Sequence, residues 1–182
     1  LPIRGITGIK KWGNVLVVYT PSAILGVNYV GLPKVVQVNP LVEGVGNSLP
    51  WSLVTAQRRH YFFNLIDANF YCFDGSVKPI GDSIKGWFLD YASLTPANIS
   101  MLWGYHDGAN NEVVWCFRGT SGTAHNKYVA FNYRTNEWGH GTCEDIHSFH
   151  PGLYMAKRIS DLSTTIANTP TPIGELSLTA TS

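Results

Sequence analysis

The sequence predicts an all-β fold, with antiparallel strands arranged as β-propeller-like blades, on three observations. Large apolar residues alternate with a period of two rather than 3.6, as on a pleated strand. The alternating runs come in pairs separated by Gly, Pro, Asn, Asp and Ser, the residues that supply turn conformations. The pairs also recur: with Val17, Phe62 and Val114 as centres of their first strands, the intervals are 45 and 52 residues, near the roughly 40 to 50 residue period of propeller blades. The pattern repeats while the residue identities do not.

The first pair is "WGNVLVVYT", residues 12 to 20, a Pro-Ser turn, and "AILGVNYV". The second is "RRHYFFNL", residues 58 to 65, an Asp-Ala-Asn turn, and a strand through "FYCF" ended by Asp74-Gly75. In the third, "NEVVWCFR" places Val113, Trp115 and Phe117 on one side and Val114, Cys116 and Arg118 on the other. After the polar break "GTSGTAHN", "KYVAFNYR" resumes the alternation with Val129, Phe131 and Tyr133 on one side, and "TNEWGHG" closes the hairpin with turn residues and a capping Trp138. The Gly- and Pro-bearing segments "GLPKVVQVNPLVEGVGNSLP" and "DGSVKPIGDSIKGWF" each hold a short β-like run suited to an outer strand. Helical pattern is confined to "TPANISMLW", residues 95 to 103, and "GLYMAKRISDL", residues 152 to 162. Residues 1–145 therefore read as blades built on about three hairpin units. Residues 146–182, rich in Ser, Thr and Pro towards their end, read as a linker or the start of a further blade.

Composition narrows the function. Hydrophobic residues make 45% of the 182 and charged residues 14%, well under the roughly 25% of an average domain, which points to surface covered by neighbours. Thirteen Lys and Arg against twelve Asp and Glu leave a formal charge of +1, so the dense basic stripe of a tight nucleic-acid binder is missing. No apolar run is long enough for a membrane-spanning helix. The opening "LPIRGITG" has neither a secretory layout nor an initiator Met and reads as an internal or processed piece of a longer chain. Cys72, Cys116 and Cys143, an odd number, read as free thiols, mostly buried.

Several reactive residue types have blander roles that fit better. His140, Cys143, His147 and His150 have the spacing H-x2-C-x3-H-x2-H. Zinc takes such ligands, but usually as two pairs from separated elements, so loop or interface histidines are the favoured reading. Ser121 in "GTSGT" sits at the wrong offset for a nucleophile elbow and in a hairpin loop. Cys116 and His125 could pair as nucleophile and base, yet a strand cysteine among aromatics is ordinarily packed and inert. Residues 26–34 carry G-x4-G with Leu32 where a phosphate loop needs lysine, and "GVGNSL", residues 44 to 49, lacks the last glycine of a dinucleotide loop. The "NIS" sequon at Asn98 matters only in a secretory setting. Acids such as Asp67, Asp74 and Asp107 occupy turn positions. In "QRRHYFF", residues 57 to 63, basic and aromatic residues mix, and an exposed strand start is the favoured reading over a single-strand nucleic-acid groove. No residue is assigned to catalysis, to a cofactor or to a metal.

The segments "GLPKVVQVNP", "NFYCFDGSVKPIG" and "NEVVWCFRGTSGTAHNKYVAFNYRTNEWGHGT" resemble the tail hub or nozzle (tail tubular) proteins of short-tailed bacteriophages. The shared pattern is an N-E-V-W-W-F-like strand, a polar loop, a Y-V-x-Y-N-Y strand and a closing tryptophan. Here Asn111, Glu112, Val113, Trp115, Phe117, Tyr128, Val129, Phe131, Asn132, Tyr133, Trp138 and Gly139 carry it. "GITGIKKWGNVLVVYTPSAI" resembles the strand pair that precedes these segments, so the likeness spans about residues 5 to 142. Cys116 departs from the pattern, which has a second aromatic there, and the tail after residue 145 does not align. The resemblance implies a structural virion protein of the phage tail, without catalysis or cofactor. It implies a homo-oligomeric ring, often a hexamer, below the portal and adaptor, whose channel passes double-stranded DNA during genome ejection. A near-neutral chain suits that conduit, because a strongly cationic wall would hold the phosphate backbone. Two other classes compete with it: a receptor- or glycan-binding tail module using Trp87 or Trp103, and a propeller-type glycan hydrolase.

Overall fold

A computed structural model of the chain describes residues 5–93, 95–120 and 124–146. Among these residues the fold is all-β: twelve strands form three four-stranded antiparallel sheets, each a meander in chain order. Sheet one holds β1 (Gly8–Trp12), β2 (Val15–Tyr19), β3 (Ala23–Tyr29) and β4 (Val36–Glu43). Sheet two holds β5 (Val54–Ala56), β6 (Arg59–Asn64), β7 (Asn69–Phe73) and β8 (Val77–Pro79). Sheet three holds β9 (Trp103–Asp107), β10 (Glu112–Phe117), β11 (His125–Asn132) and β12 (Glu137–Ile146). No helix among the described residues is long and apolar enough to cross a membrane.

The three predicted hairpins are the central strand pairs of the sheets, β2–β3, β6–β7 and β10–β11. The outer runs predicted after them appear as β4 and β8. Four features depart from the sequence reading. "WGNVLVVYT" is not one strand, because Trp12 ends β1 and the chain reverses at Gly13, whose φ of 58° is left-handed and suits glycine. "TNEWGHG" is not a closing turn, because Glu137 begins a ten-residue strand. The helix expected over residues 95 to 103 is a single turn, α2 (Pro96–Ile99), and Trp103 already opens β9. Finally, α1 (Lys85–Tyr91) forms in a segment read as loop and outer strand. The helix expected at 152 to 162, and residues 147–182 of the tail, lie outside the described residues.

Sheet two lies between the other two, and its alternation explains how. Phe62, Tyr71 and Phe73 point to one side, where they pack with Val17, Tyr19 and Ile24 of sheet one. Tyr61, Phe63, Phe70 and Cys72 point to the other, where they join Val113, Trp115, Phe117, Val129, Phe131 and Tyr133 of sheet three. Both predicted inward faces of the third hairpin are thus in the core. Phe70 is the hub of this packing, with ring centroids 4.9 Å from Phe63, 5.1 Å from Phe88, 4.7 Å from Trp115 and 5.1 Å from Trp138. Such offset and edge-to-face pairs add stabilisation beyond their buried area.

Several polar groups buried between the sheets make cross-sheet hydrogen bonds, which offset the cost of burying them. The indole N–H of Trp115 donates to the carbonyl of Ser52 (2.9 Å), and that of Trp138 to the carbonyl of Ile80 (2.7 Å). Between sheets one and two, Asn64 donates from Nδ2 to the carbonyls of Gly46 (2.7 Å) and Pro21 (3.2 Å). His60 is fully buried there, with Nδ1 2.6 Å from the Tyr19 hydroxyl and Nε2 3.2 Å from the Lys11 carbonyl. A carbonyl only accepts, so Nε2 carries the proton and Nδ1 accepts from the tyrosine.

Candidate binding surface

The connection from β8 to β9 carries a helix that forms one wall of an open cleft. In α1, Phe88 lies fully buried one turn after the buried Ile84 and packs on Phe63, Phe70 and Phe117. One turn apart on the flank, Trp87 and Tyr91 pack together at 4.8 Å. The helix ends at Ala92, which turns extended and forms a bridge with Gly119. These contacts hold α1 along the core-facing side of sheet three, next to β12.

Between α1 and β12 lies an open cleft of about 570 Å³ lined by Ser83, Ile84, Trp87, Asn136, Glu137, Trp138 and His140. Two ring pairs form its aromatic wall: Trp87 stacks on the His140 ring at 4.1 Å and 21° between planes, and Trp138 stacks on Trp115 behind. Lys127 lies over Tyr91 at 4.7 Å from the centroid, a cation–π contact at the edge of the same patch. Ser83, Glu137 and His140 are types that acid–base chemistry uses, but they are exposed and make no hydrogen bond with one another among the described residues. The cleft sets two indole side chains, Trp87 and Trp138, beside the exposed carboxylate of Glu137.

A second aromatic surface lies at the first strands of sheets two and three. Trp51, in a 3-10 turn (Pro50–Ser52), is 64% exposed, and its ring lies 6.0 Å from that of Trp103 on β9. Trp103 in turn lies 5.3 Å from the His125 ring. Of the two tryptophans singled out in the sequence, Trp87 is engaged by His140 and Tyr91, while Trp103 shares an exposed surface with Trp51.

The remaining sequence candidates are placed as follows. Cys116 is buried on the side of sheet three facing away from Trp115, beside Cys143, and burial pushes its thiol well above the usual range. His125 directs Nε2 to the Met101 carbonyl and packs on Trp103. Both residues are packed rather than set out in a cleft. His140 and Cys143 are three apart on β12 and so on opposite faces of the sheet: His140 stacks on Trp87, while Cys143 lies by Cys116 and the His125 carbonyl. They cannot share one ion; His147, His150 and Ser121 lie outside the described residues. No group of three metal-binding side chains comes together among the described residues.

Asp74 accepts hydrogen bonds from Ser76 and Lys78, and Asp107 from Ala109 and Asn110, in each case holding a turn. Those bonds hold both carboxyls below their ordinary range, Lys78 contributing most at Asp74 and Asn110 at Asp107. Asp67 accepts from the Tyr71 hydroxyl. The Asn98 amide is engaged at both ends, giving to Ser93 Oγ (2.6 Å) and accepting from Arg118 (3.0 Å). In "QRRHYFF", Gln57 and Arg58 form the turn, with φ of 47° and 63°, and Arg59 starts the strand in solvent, as predicted. The α1–β12 cleft itself escaped sequence reasoning, because Trp87 and His140 are far apart in the chain. The pairing of Trp87 with Tyr91 at helical spacing was the one local signal for it.

No family model matches the chain, and no curated protein matches it either.

Proposed function

We propose that the chain is a structural, non-catalytic component of a bacteriophage tail, its blades forming part of a ring-shaped hub or nozzle around the genome-ejection channel. The observation that carries this reading is the face-to-face stacking of three consecutive four-stranded meanders. In a propeller each sheet covers its neighbour, and the first strands lie nearest the axis. In keeping with that, first strands β5 and β9 touch. Aromatic rings, buried imidazole and indole N–H groups are spent on holding sheet to sheet. Sheet one has no sheet on its far side among the described residues, and Ile9, Leu16 and Val38 are exposed there. Apolar side chains exposed on one face of a sheet mark a surface that a neighbour can cover, which favours further blades completing a ring. Cryo-electron microscopy of purified particles tests the reading. The expected result is density for this chain in a ring below the portal; particles lacking the chain, or carrying it outside the tail, overturn it.

Trp51 and Trp103 favour a second reading, a glycan- or receptor-binding tail module that stacks a sugar ring on the exposed indole of Trp51 beside the half-buried Trp103. A glycan-array signal from the whole chain that disappears in Trp51→Ala would support it; an array with no response removes it.

A further inference from the structure

Two features remain unexplained by the packing of the three sheets, and they match each other. The β3–β4 hairpin runs on past β2: pairing between β2 and β3 stops at Leu16 and Val27, whereas β3 and β4 stay paired to Tyr29 and Val36. Its projecting end is apolar and bare, with Leu32 89% and Tyr29 78% exposed, and Val30, Val35 and Val36 exposed beside them. Lys34 stands at this apex with no ion-pair partner among the described residues. The other feature is the α1–β12 cleft, walled by Trp87 and Trp138 with Glu137 at its rim, likewise without an ion-pair partner.

We propose that the hairpin apex of one copy of this chain docks into the α1–β12 cleft of a second copy, joining copies head to tail. Leu32 and Pro33 would lie against the indole walls, and Lys34 would meet Glu137. The cleft volume, about 570 Å³, is in the usual range for a site that receives a compact apolar group. Charge supports the pairing. Residues 1–43 carry Arg4, Lys10, Lys11 and Lys34 against Glu43 alone, while residues 80–146 carry seven acids against four bases. Opposite charges on Lys34 at the apex and Glu137 at the cleft rim set the orientation of such a contact. A contact between two different surfaces of one chain is heterologous and closes into a ring when its rotation allows. The alternative occupant, a lipid surface, has less behind it: one lysine at the apex gives only weak attraction to anionic headgroups. The inference deepens the ring reading and rests on it.

Sedimentation equilibrium of the whole chain tests it, with circular dichroism to show that each variant folds; all three substituted side chains are exposed. Leu32→Asp is expected to weaken self-association roughly tenfold or more, as loss of a central anchor does. Lys34→Glu and Glu137→Lys should each weaken it, and the two together should recover most of the loss. Self-association that none of these variants changes overturns the docking while leaving a ring intact. A chain that stays monomeric but binds phosphatidylcholine–phosphatidylglycerol vesicles through Leu32 makes the apex a lipid wedge and overturns the docking. A chain monomeric at every concentration and without vesicle binding takes down the docking and the ring together.

Discussion

Replacing Gly104 by alanine tests a close contact between sheets two and three. A glycine-to-alanine change outside the left-handed region ordinarily stabilises by about 0.4–1 kcal/mol, by narrowing the unfolded ensemble. Gly104 lies outside that region, on β9 opposite Trp115. A Cβ there would stand 2.5 Å from Val54 Cγ2 and 2.8 Å from Trp115 Cδ1 and Nε1. The indole is fully buried between sheets and cannot swing away without breaking its bond to the Ser52 carbonyl. Overpacking costs about 1–3 kcal/mol, and a buried carbonyl left without its donor costs about 1–3 kcal/mol more. The steric and hydrogen-bond terms outweigh the entropic gain, so Gly104→Ala should destabilise by about 2–4 kcal/mol. Equilibrium urea unfolding, followed by far-ultraviolet circular dichroism and tryptophan fluorescence, measures this. Val54→Ala removes the closest obstacle, so the double variant should lose less than the sum of the two singles. A stabilised or unchanged Gly104→Ala protein would refute the packing described for Trp115.

Trp138→Phe keeps an aromatic ring beside Phe70 but loses the N–H that reaches Ile80, and should cost about 1–2 kcal/mol in the same urea assay. His60 is held neutral chiefly by burial, with the charge of Lys10 acting in the same direction against the opposing Lys11 carbonyl bond. Its folded pKa lies below the roughly 6.5 of an unfolded histidine, so its contribution to stability is complete above that pH and is lost as the pH falls below it. The urea midpoint should drop between pH 7 and 5, and His60→Gln should flatten that slope. Burial raises the Cys72 and Cys116 thiols, whereas Cys143 is half-buried. Ellman's reagent should therefore modify Cys143 first in the folded chain, and the other two only on unfolding.

Period-two alternation was enough to locate the central strands, because the middle of a stacked sheet is buried on a face that only apolar residues can fill. Val113, Trp115 and Phe117, and Val129, Phe131 and Tyr133, declared their shared faces in this way, as did the turn roles of Asp74 and Asp107. Of the outer strands, β4 and β8 were signalled by their β-like runs, whereas β1, β9 and β12 were harder to see. In β1, "GIKKW" carries two lysines, and in β9, "WGYHD" carries glycine, histidine and aspartate. A sheet edge buries less side chain and so places fewer demands on residue type. The α1 helix escaped notice because its burial needs only Ile84 and Phe88, too few positions to establish a helical period in seven residues.

Local order along the chain thus settled the all-β class, the hairpins and the turn chemistry, since each depends on residues close in sequence. Which hairpin covers which, and what each buried polar group bonds to, was decided only by folding. Trp115 finds Ser52 63 residues away, Trp138 finds Ile80 58 away, and His60 finds Tyr19 41 away. The α1–β12 cleft belongs to that second category, because packing places Trp138 on Phe70 and sets His140 over Trp87 of the helix. A one-dimensional pattern records which side chains must be buried, while three-dimensional packing alone selects their partners.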